Sequence, residues 1–224
     1  PGCNADSVEQ YVSAALLYWA KKKNKTLADL CIGIVGVGQV GSRVAKTCIT
    51  LGMKVLLNDP PRERIEGSTL FTDIDTIKKE ADIITFHVPL NRTEPDKTYH
   101  MLDQGFIDSL KRGALLFNTC RGEVFDTKAV IEAIEKKKIE NPVIDCWENE
   151  PNIDHILLQN TFIATPHIAG YSKDGKANGT QQVVRALAKE FDLPLKNWEA
   201  TGIPDPKEKL IQIDPAGKTE QEII

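Results

Sequence analysis

Gly33-Ile34-Val35-Gly36-Val37-Gly38-Gln39-Val40-Gly41 joins the apolar run Cys31–Val35 to a helical pattern over Val40–Leu51. Within it, Gly36 to Gly41 is a G-x-G-x-x-G sequence with a strand before it and a helix after it, the context that gives the pattern meaning. Gly36 permits a tight turn, Gly38 lets the backbone approach a pyrophosphate, and Gly41 lets helix and strand pack closely, so these residues with Gln39 and Val40 are candidate dinucleotide contacts. The helix N-terminus adds unpaired N–H groups and the positive end of a dipole for phosphates. The next strand ends in Leu57-Asn58-Asp59. A carboxylate there accepts ribose hydroxyls and repels a 2′-phosphate, so NAD is expected over NADP. Arg62 and Arg64 pull the other way, since a nearby arginine accommodates that phosphate.

Outward from this stretch, short β-rich runs alternate with amphipathic ones. Strands are expected at Cys31–Val35, Lys54–Leu57, Ile83–Val88, Ala114–Asn118, Val143–Asp145 and Thr161–Ala164, and helices at Ser7–Lys22, Val40–Leu51, Ile74–Lys79, Gln104–Leu110, Lys128–Lys136 and Gly179–Phe191. Such alternation implies a doubly wound α/β fold with a parallel sheet, a Rossmann-type NAD-binding domain over residues 1–192. From Leu193 the pattern changes, with Pro194, Pro204, Pro206 and Pro215 around a β-like piece at Leu210–Ile213, so 193–224 is expected to be a linker and the start of a second, substrate or dimerisation region. The start at Pro1, with a helix almost at once, predicts further sequence before it, and the run Lys218–Ile224 breaks off abruptly.

The 224 residues carry 28 basic and 32 acidic side chains, a net charge of -4, with no basic stripe to track a phosphate backbone. Nucleic-acid binding is not expected. No apolar run approaches the roughly 20 residues of a membrane span, and the cytoplasm is the expected compartment. Cys3, Cys31, Cys48, Cys120 and Cys146 show no metal-ligand spacing. They are expected to be reduced thiols, Cys31 and Cys48 in the core, and no metal site is expected.

In sheets of this kind ligands bind beyond the carboxyl ends of the strands. Three such ends carry reactive side chains: Asn118-Thr119-Cys120-Arg121-Gly122, Asp145-Cys146-Trp147-Glu148-Asn149-Glu150-Pro151 and Thr165-Pro166-His167-Ile168-Ala169-Gly170-Tyr171. Oxidising a 2-hydroxy acid needs a base for the hydroxyl proton, and an imidazole titrates in the right range. A neighbouring carboxylate fixes its tautomer and stabilises the imidazolium. A guanidinium offers two-point binding to the substrate carboxylate. Arg121, Glu150 and His167 form that set. His87, His100 and His155 are read as ordinary structural histidines, His87 at most lining the cofactor pocket.

In order and approximate spacing, the glycine segment and these three segments resemble the D-2-hydroxyacid dehydrogenase family over about residues 1–191. Further likeness, in Pro1-Gly2-Cys3-Asn4-Ala5, Asp59-Pro60-Pro61-Arg62, Phe86-His87-Val88-Pro89-Leu90 and Tyr171 with Gly175, Lys176, Gly179 and Thr180, is to the branch of vitamin B6 synthesis that oxidises 4-phospho-D-erythronate to 2-oxo-3-hydroxy-4-phosphobutanoate. The resemblance implies that Arg121 binds and polarises substrate, Glu150 orients His167, and His167 exchanges the proton. It also implies that Asp59, Val88, Asp145 and Gly170 lie around NAD and that Tyr171 touches substrate, although Asp145 could equally cap local N–H groups. It further implies a homodimer formed through the Ser7–Lys22 helix, whose apolar surface suits an ordinary core helix as well. A family member acting on phosphoglycerate or hydroxypyruvate, and a non-catalytic NAD-sensing protein on the same scaffold, remain open.

Overall fold

β1 (Cys31–Val35) is buried at every position, so it can only lie inside a sheet. It pairs in parallel with β2 (Lys54–Asn58) on one side and β3 (Ile83–Phe86) on the other. β4 (Leu115–Asn118), β5 (Val143–Ile144) and β6 (Ile163–Ala164) continue the parallel sheet in the order β2-β1-β3-β4-β5-β6. The fold is the expected doubly wound α/β arrangement, and its winding reverses between β1 and β3, where the ligand crevice of such sheets opens. This is seen in a computed structural model that describes residues 2–205, 208, 212, 214, 216 and 217. Apart from Gln212, the expected β-like piece Leu210–Ile213 lies outside the described residues, as does Lys218–Ile224.

The connections carry α1 (Ala5–Lys23), α2 (Gln39–Thr50), α3 (Pro60–Glu66), α4 (Ile74–Glu80), α5 (Gln104–Asp108), α6 (Thr127–Glu135), α7 (His155–Gln159) and α8 (Lys173–Glu190). Alternation along the strands divides the core. Ile32, Ile34, Ile83, Leu115, Phe117 and Val143 pack with α1 and α2 on one face. Val35, Ile84, Phe86, Leu116 and Ile144 pack with α4, α5 and α6 on the other. α1 turns Val8, Val12, Ala15, Leu16 and Trp19 into the first of these layers, so its apolar face is spent inside the chain. α8 instead leaves Val183 and Leu187 exposed, as is Phe191 just beyond its end.

Local capping explains the elements that the hydrophobic pattern did not delimit. α3 was not anticipated: the Asp59 side chain accepts from Arg62 N, and the prolines after it suit a first helical turn. Asp154 likewise starts the unanticipated α7 by accepting from Ile156 N and Leu157 N. α8 begins well before Gly179 because Ser172 accepts from Gly175 N. Several strands are shorter than expected. β3 stops at Phe86 although His87 N still bonds Val35 O, and β5 stops at Ile144 although Asp145 N still bonds Asn118 O. Among the described residues no helix is long and apolar enough to cross a membrane.

Gly33 shows how closely the layers approach: a Cβ there would stand 2.4 Å from Ile77 Cγ2, and Ile77 on α4 is wholly buried. Gly33→Ala should cost about 1–3 kcal/mol by overpacking, and Ile77→Ala about 2–5 kcal/mol by cavity formation. In the double variant the new methyl enters the vacated space, so the loss should fall short of the sum. Denaturant unfolding of the three proteins measures that coupling.

Candidate active site

The glycine turn leaves β1 at Gly36, whose φ of +87° belongs to the left-handed region. A Cβ on it would lie 2.6 Å from the His87 carbonyl oxygen and 2.9 Å from Val88 Cγ1, so β3's exit packs directly under the turn. Gly41 is closer still, its absent Cβ falling 2.0 Å from Gly36 O. Gly38 is different. It caps α2 without a side-chain hydrogen bond, and nothing stands within 4 Å of where its Cβ would be. That open face beside the first N–H groups of α2 fits an incoming pyrophosphate. Gln39 leans on Gly2 and accepts from Arg43, while Val40 packs against the core.

Asp59 accepts from Val37 N at 2.8 Å through one oxygen and from Arg62 N at 3.1 Å through the other. It therefore ties the glycine turn to α3 and keeps lone pairs for ribose hydroxyls. Both arginines that could have favoured a 2′-phosphate are occupied. Arg62 forms a two-point pair with Glu66 and donates to Val37 O, and Arg64 pairs with Asp96. His87 Nε2 lies 3.0 Å from Thr85 Oγ1, and burial pushes the imidazole down to about 3, so it stays neutral.

β4, β5 and β6 are neighbours in register, which brings their outgoing loops together. Asn118 shapes the first: its Oδ1 accepts from Cys120 N and its Nδ2 donates to Arg121 O. Arg121 is exposed and donates to Cys120 O. Gly122 has to be glycine, since a Cβ would fall 1.9 Å from the Trp147 carbonyl. The loop bearing Arg121 thus lies directly on the loop bearing Glu150.

Glu150 faces two ways. Oε1 accepts from Trp147 N at 2.7 Å, and Oε2 lies 2.8 Å from His167 Nδ1. His167 itself has φ +56°, a conformation that costs a non-glycine residue about 1–3 kcal/mol and persists where surroundings impose it. Asp145 imposes it here. Buried to 1% exposure, its carboxylate accepts from Thr165 Oγ1, Ile168 N and Ala169 N, and its carbonyl accepts from His167 N. Since Thr165 gives its proton to Asp145, the Tyr11 hydroxyl 2.6 Å away donates to Thr165, which joins α1 to this loop. Burial pushes the Tyr11 phenol up.

Arg121, Glu150 and His167 are therefore on adjoining loops, with only the last two in contact. Asp145 lies behind the dyad and caps the 165–169 segment. Gly170 is covered by Asn4, whose Nδ2 would be 2.3 Å from a Cβ there. Tyr171 is exposed, with the Lys176 ammonium 3.6 Å from its ring centre; the lysine's hydrogen bond and charge pull the phenol down. Burial pushes the Cys120 thiol up to about 11 and raises that of Cys146 further, which holds both in the protonated form. Sequence reasoning missed Asn118, Thr165, Trp147 and the pair His100–Glu148, in which His100 Nε2 lies 2.6 Å from Glu148 Oε1. Asn118, Trp147, Glu148 and Thr165 stood inside quoted motifs, but nothing local marked what they would touch.

Residues 6–169 match the family model described as D-isomer specific 2-hydroxyacid dehydrogenase, NAD binding domain. Among curated proteins, the chain is 50% identical to the erythronate-4-phosphate dehydrogenase of Bacteroides thetaiotaomicron over 95% of its own length and 60% of that protein's. It is 41% identical to that of Porphyromonas gingivalis over 95% and 58%, respectively. The chain thus spans about 60% of the length of these relatives. Among solved structures, the D-lactate dehydrogenase of Aquifex aeolicus, complexed with NAD and lactic acid, superposes with a TM-score of 0.67 at 28% identity, covering 90% of this chain and 71% of that one.

The glycine geometry separates two variants. Gly38→Ala adds a methyl to open space and should leave the melting temperature unchanged while weakening NAD binding by tenfold or more, about 1.4 kcal/mol. Gly41→Ala puts its methyl into the Gly36 carbonyl and should lower the melting temperature. Thermal melts paired with NAD titrations followed by protein fluorescence check both.

Proposed function

The chain belongs to the D-isomer specific 2-hydroxyacid dehydrogenases and contains their NAD binding domain, and from that premise we propose that it is the NAD-binding and catalytic part of an enzyme oxidising 4-phospho-D-erythronate. The observation that carries this reading is the contact between His167 Nδ1 and Glu150 Oε2. With Nδ1–H donated to a carboxylate, Nε2 is the acceptor of the ring, and no described residue hydrogen-bonds to it. The side chain is 47% exposed, so this nitrogen can meet a substrate hydroxyl.

Bound NAD supplies the hydride acceptor. His167 Nε2 takes the proton of the C2 hydroxyl as the C2–H bond breaks, and the imidazolium formed is stabilised by Glu150. Arg121 offers its planar fork to the substrate carboxylate and to the oxygen on which charge changes. Gly36, Gly38, Gln39, Val40, Gly41 and Asp59 form the cofactor cradle in this reading, with Val88, Asp145 and Gly170 beside it and Tyr171 toward the substrate. The product is 2-oxo-3-hydroxy-4-phosphobutanoate, which places the reaction in vitamin B6 synthesis. The identities of 50% and 41% to erythronate-4-phosphate dehydrogenases support the choice of substrate. Residues 193–224 lead toward a second region for substrate or dimer contacts, and the working form is a homodimer in the cytoplasm.

The test is NAD reduction by the full-length protein with 4-phospho-D-erythronate, in wild type and in His167→Ala. Turnover should drop by a factor of about 100 or more, the span of a positioned general base, while NAD still binds. Turnover only with another 2-hydroxy acid would replace the substrate and keep the chemistry. Silence with all of them would overturn the catalytic reading.

A further inference from the structure

Glu148 has a side chain only 14% exposed, and it stands in the same loop as Glu150 without touching His167. One of its carboxylate oxygens receives His100 Nε2 at 2.6 Å and the other receives Thr127 N at 3.2 Å. Burial raises the Glu148 carboxyl, and the hydrogen bonds from His100 and Thr127 outweigh it, holding the group below the usual carboxylate range.

His100 is itself immobilised. Its φ is +49°, its N–H donates to Glu123 O at 2.7 Å, and its ring stacks on Tyr99 with centroids 4.0 Å apart. Nδ1 faces Asp126 Oδ2 at 3.7 Å, and on the outer side Arg92 lies over Tyr99 and reaches Glu123. The imidazole thus sits among Glu148, Asp126, Glu123 and Arg92. Alongside the His100–Glu148 pair runs the turn Arg121–Val124, whose Glu123 carbonyl accepts from His100 N and whose Gly122 lies directly on the Trp147 carbonyl.

We propose that His100 and Glu148 form a second imidazole–carboxylate pair whose role is positioning: it fastens the Glu150 loop to the loop of Arg121, so that the substrate clamp and the proton-transfer dyad keep one mutual register. The connection is continuous. His100 holds Glu148, the neighbouring Trp147 holds Glu150 through its N–H, and Glu150 holds His167. On the other side His100 holds Glu123, two residues from Arg121. A half-buried polar pair returns little net stability compared with an apolar pair of the same shape, and its best-attested use is to select one register. Register matters here because misplacement of reacting groups by about 1 Å costs about 10²-fold in rate. The proposal rests on the reading of Arg121, Glu150 and His167 as the reacting groups.

The test uses the full-length protein with His100→Ala, His100→Gln and Glu148→Gln. Expected are a tenfold or greater fall in kcat for His100→Ala and Glu148→Gln and an unchanged KM for NAD, with the melting temperature lowered in His100→Ala, which strands the Glu148 carboxylate, and close to wild type in Glu148→Gln. His100→Gln, which keeps a nitrogen donor near the Nε2 position, should recover most of the lost turnover. In parallel, NMR titration of His167 should show its midpoint displaced in His100→Ala and restored in His100→Gln. Should the wild type turn over no hydroxy acid, the catalytic reading fails, and the titration alone still decides whether the pair governs the dyad. Wild-type kcat with an undisplaced titration overturns the proposal. So does a loss of kcat that tracks a fallen melting temperature and is not recovered by His100→Gln, since that is the behaviour of a merely structural contact.

Discussion

Asp145 is almost wholly buried, and its carboxylate receives a hydroxyl from Thr165 and two backbone N–H groups from Ile168 and Ala169. Desolvating such a charge costs several kcal/mol unless donors replace the lost water, and here, apart from a long contact from the Cys146 thiol, the replacing donors come from a single loop. That loop cannot relax without stranding the charge. The requirement holds His167 in the left-handed region, fixes Thr165 so that its carbonyl meets Trp147 Nε1, and draws in Tyr11 from α1. The geometry of the His167–Glu150 pair is thus set from behind, by a group that does not touch the pair's hydrogen bond.

Asp145, Glu148 and Glu150 lie within one short loop, and their carboxylates are each bound to different partners. The first faces the 165–169 segment, the second His100 and the start of α6, and the third His167. A loop anchored by three charged groups loses little further freedom when a ligand arrives, which is the condition for electrostatic preorganisation. The glycine side of the crevice reaches the same end by different means. Backbone is brought against backbone at Gly36 and Gly41, and only Gly38 is left open.

Features with a local signature were legible in the sequence. β1, the glycine turn and α2 could be read together because strand period, glycine spacing and helix period all fall within one short stretch. The segments carrying Arg121, Glu150 and His167 were legible as the ends of apolar runs. Illegible were contacts made across the sheet, which local pattern does not encode. Nothing around His100 predicts that it meets Glu148, because that meeting depends on the placement of β4 beside β5 and on Gly122 allowing the loops to touch. α3 and α7 escaped because both are short and owe their existence to aspartate caps more than to an amphipathic period. α1 offered two readings from its pattern, and the packing of Val12, Leu16 and Trp19 on the chain's own sheet gives the core-helix one its physical basis.

Asp59 combines three tasks that are separable in principle: it caps α3, secures Val37 of the glycine turn, and in the proposed reading meets the ribose. Loss of the cap alone is worth about 1 kcal/mol. For protein engineering this means that selectivity between the two nicotinamide dinucleotides is not an independent dial. Exchanging Asp59 for a small neutral residue to admit a phosphate would also unfasten the glycine turn that in the same reading meets the pyrophosphate, and freeing Arg62 to meet it would break the pair with Glu66. A retargeted enzyme would have to be rebuilt from the turn through Glu66 as one block, with coordinated changes in place of a single exchange.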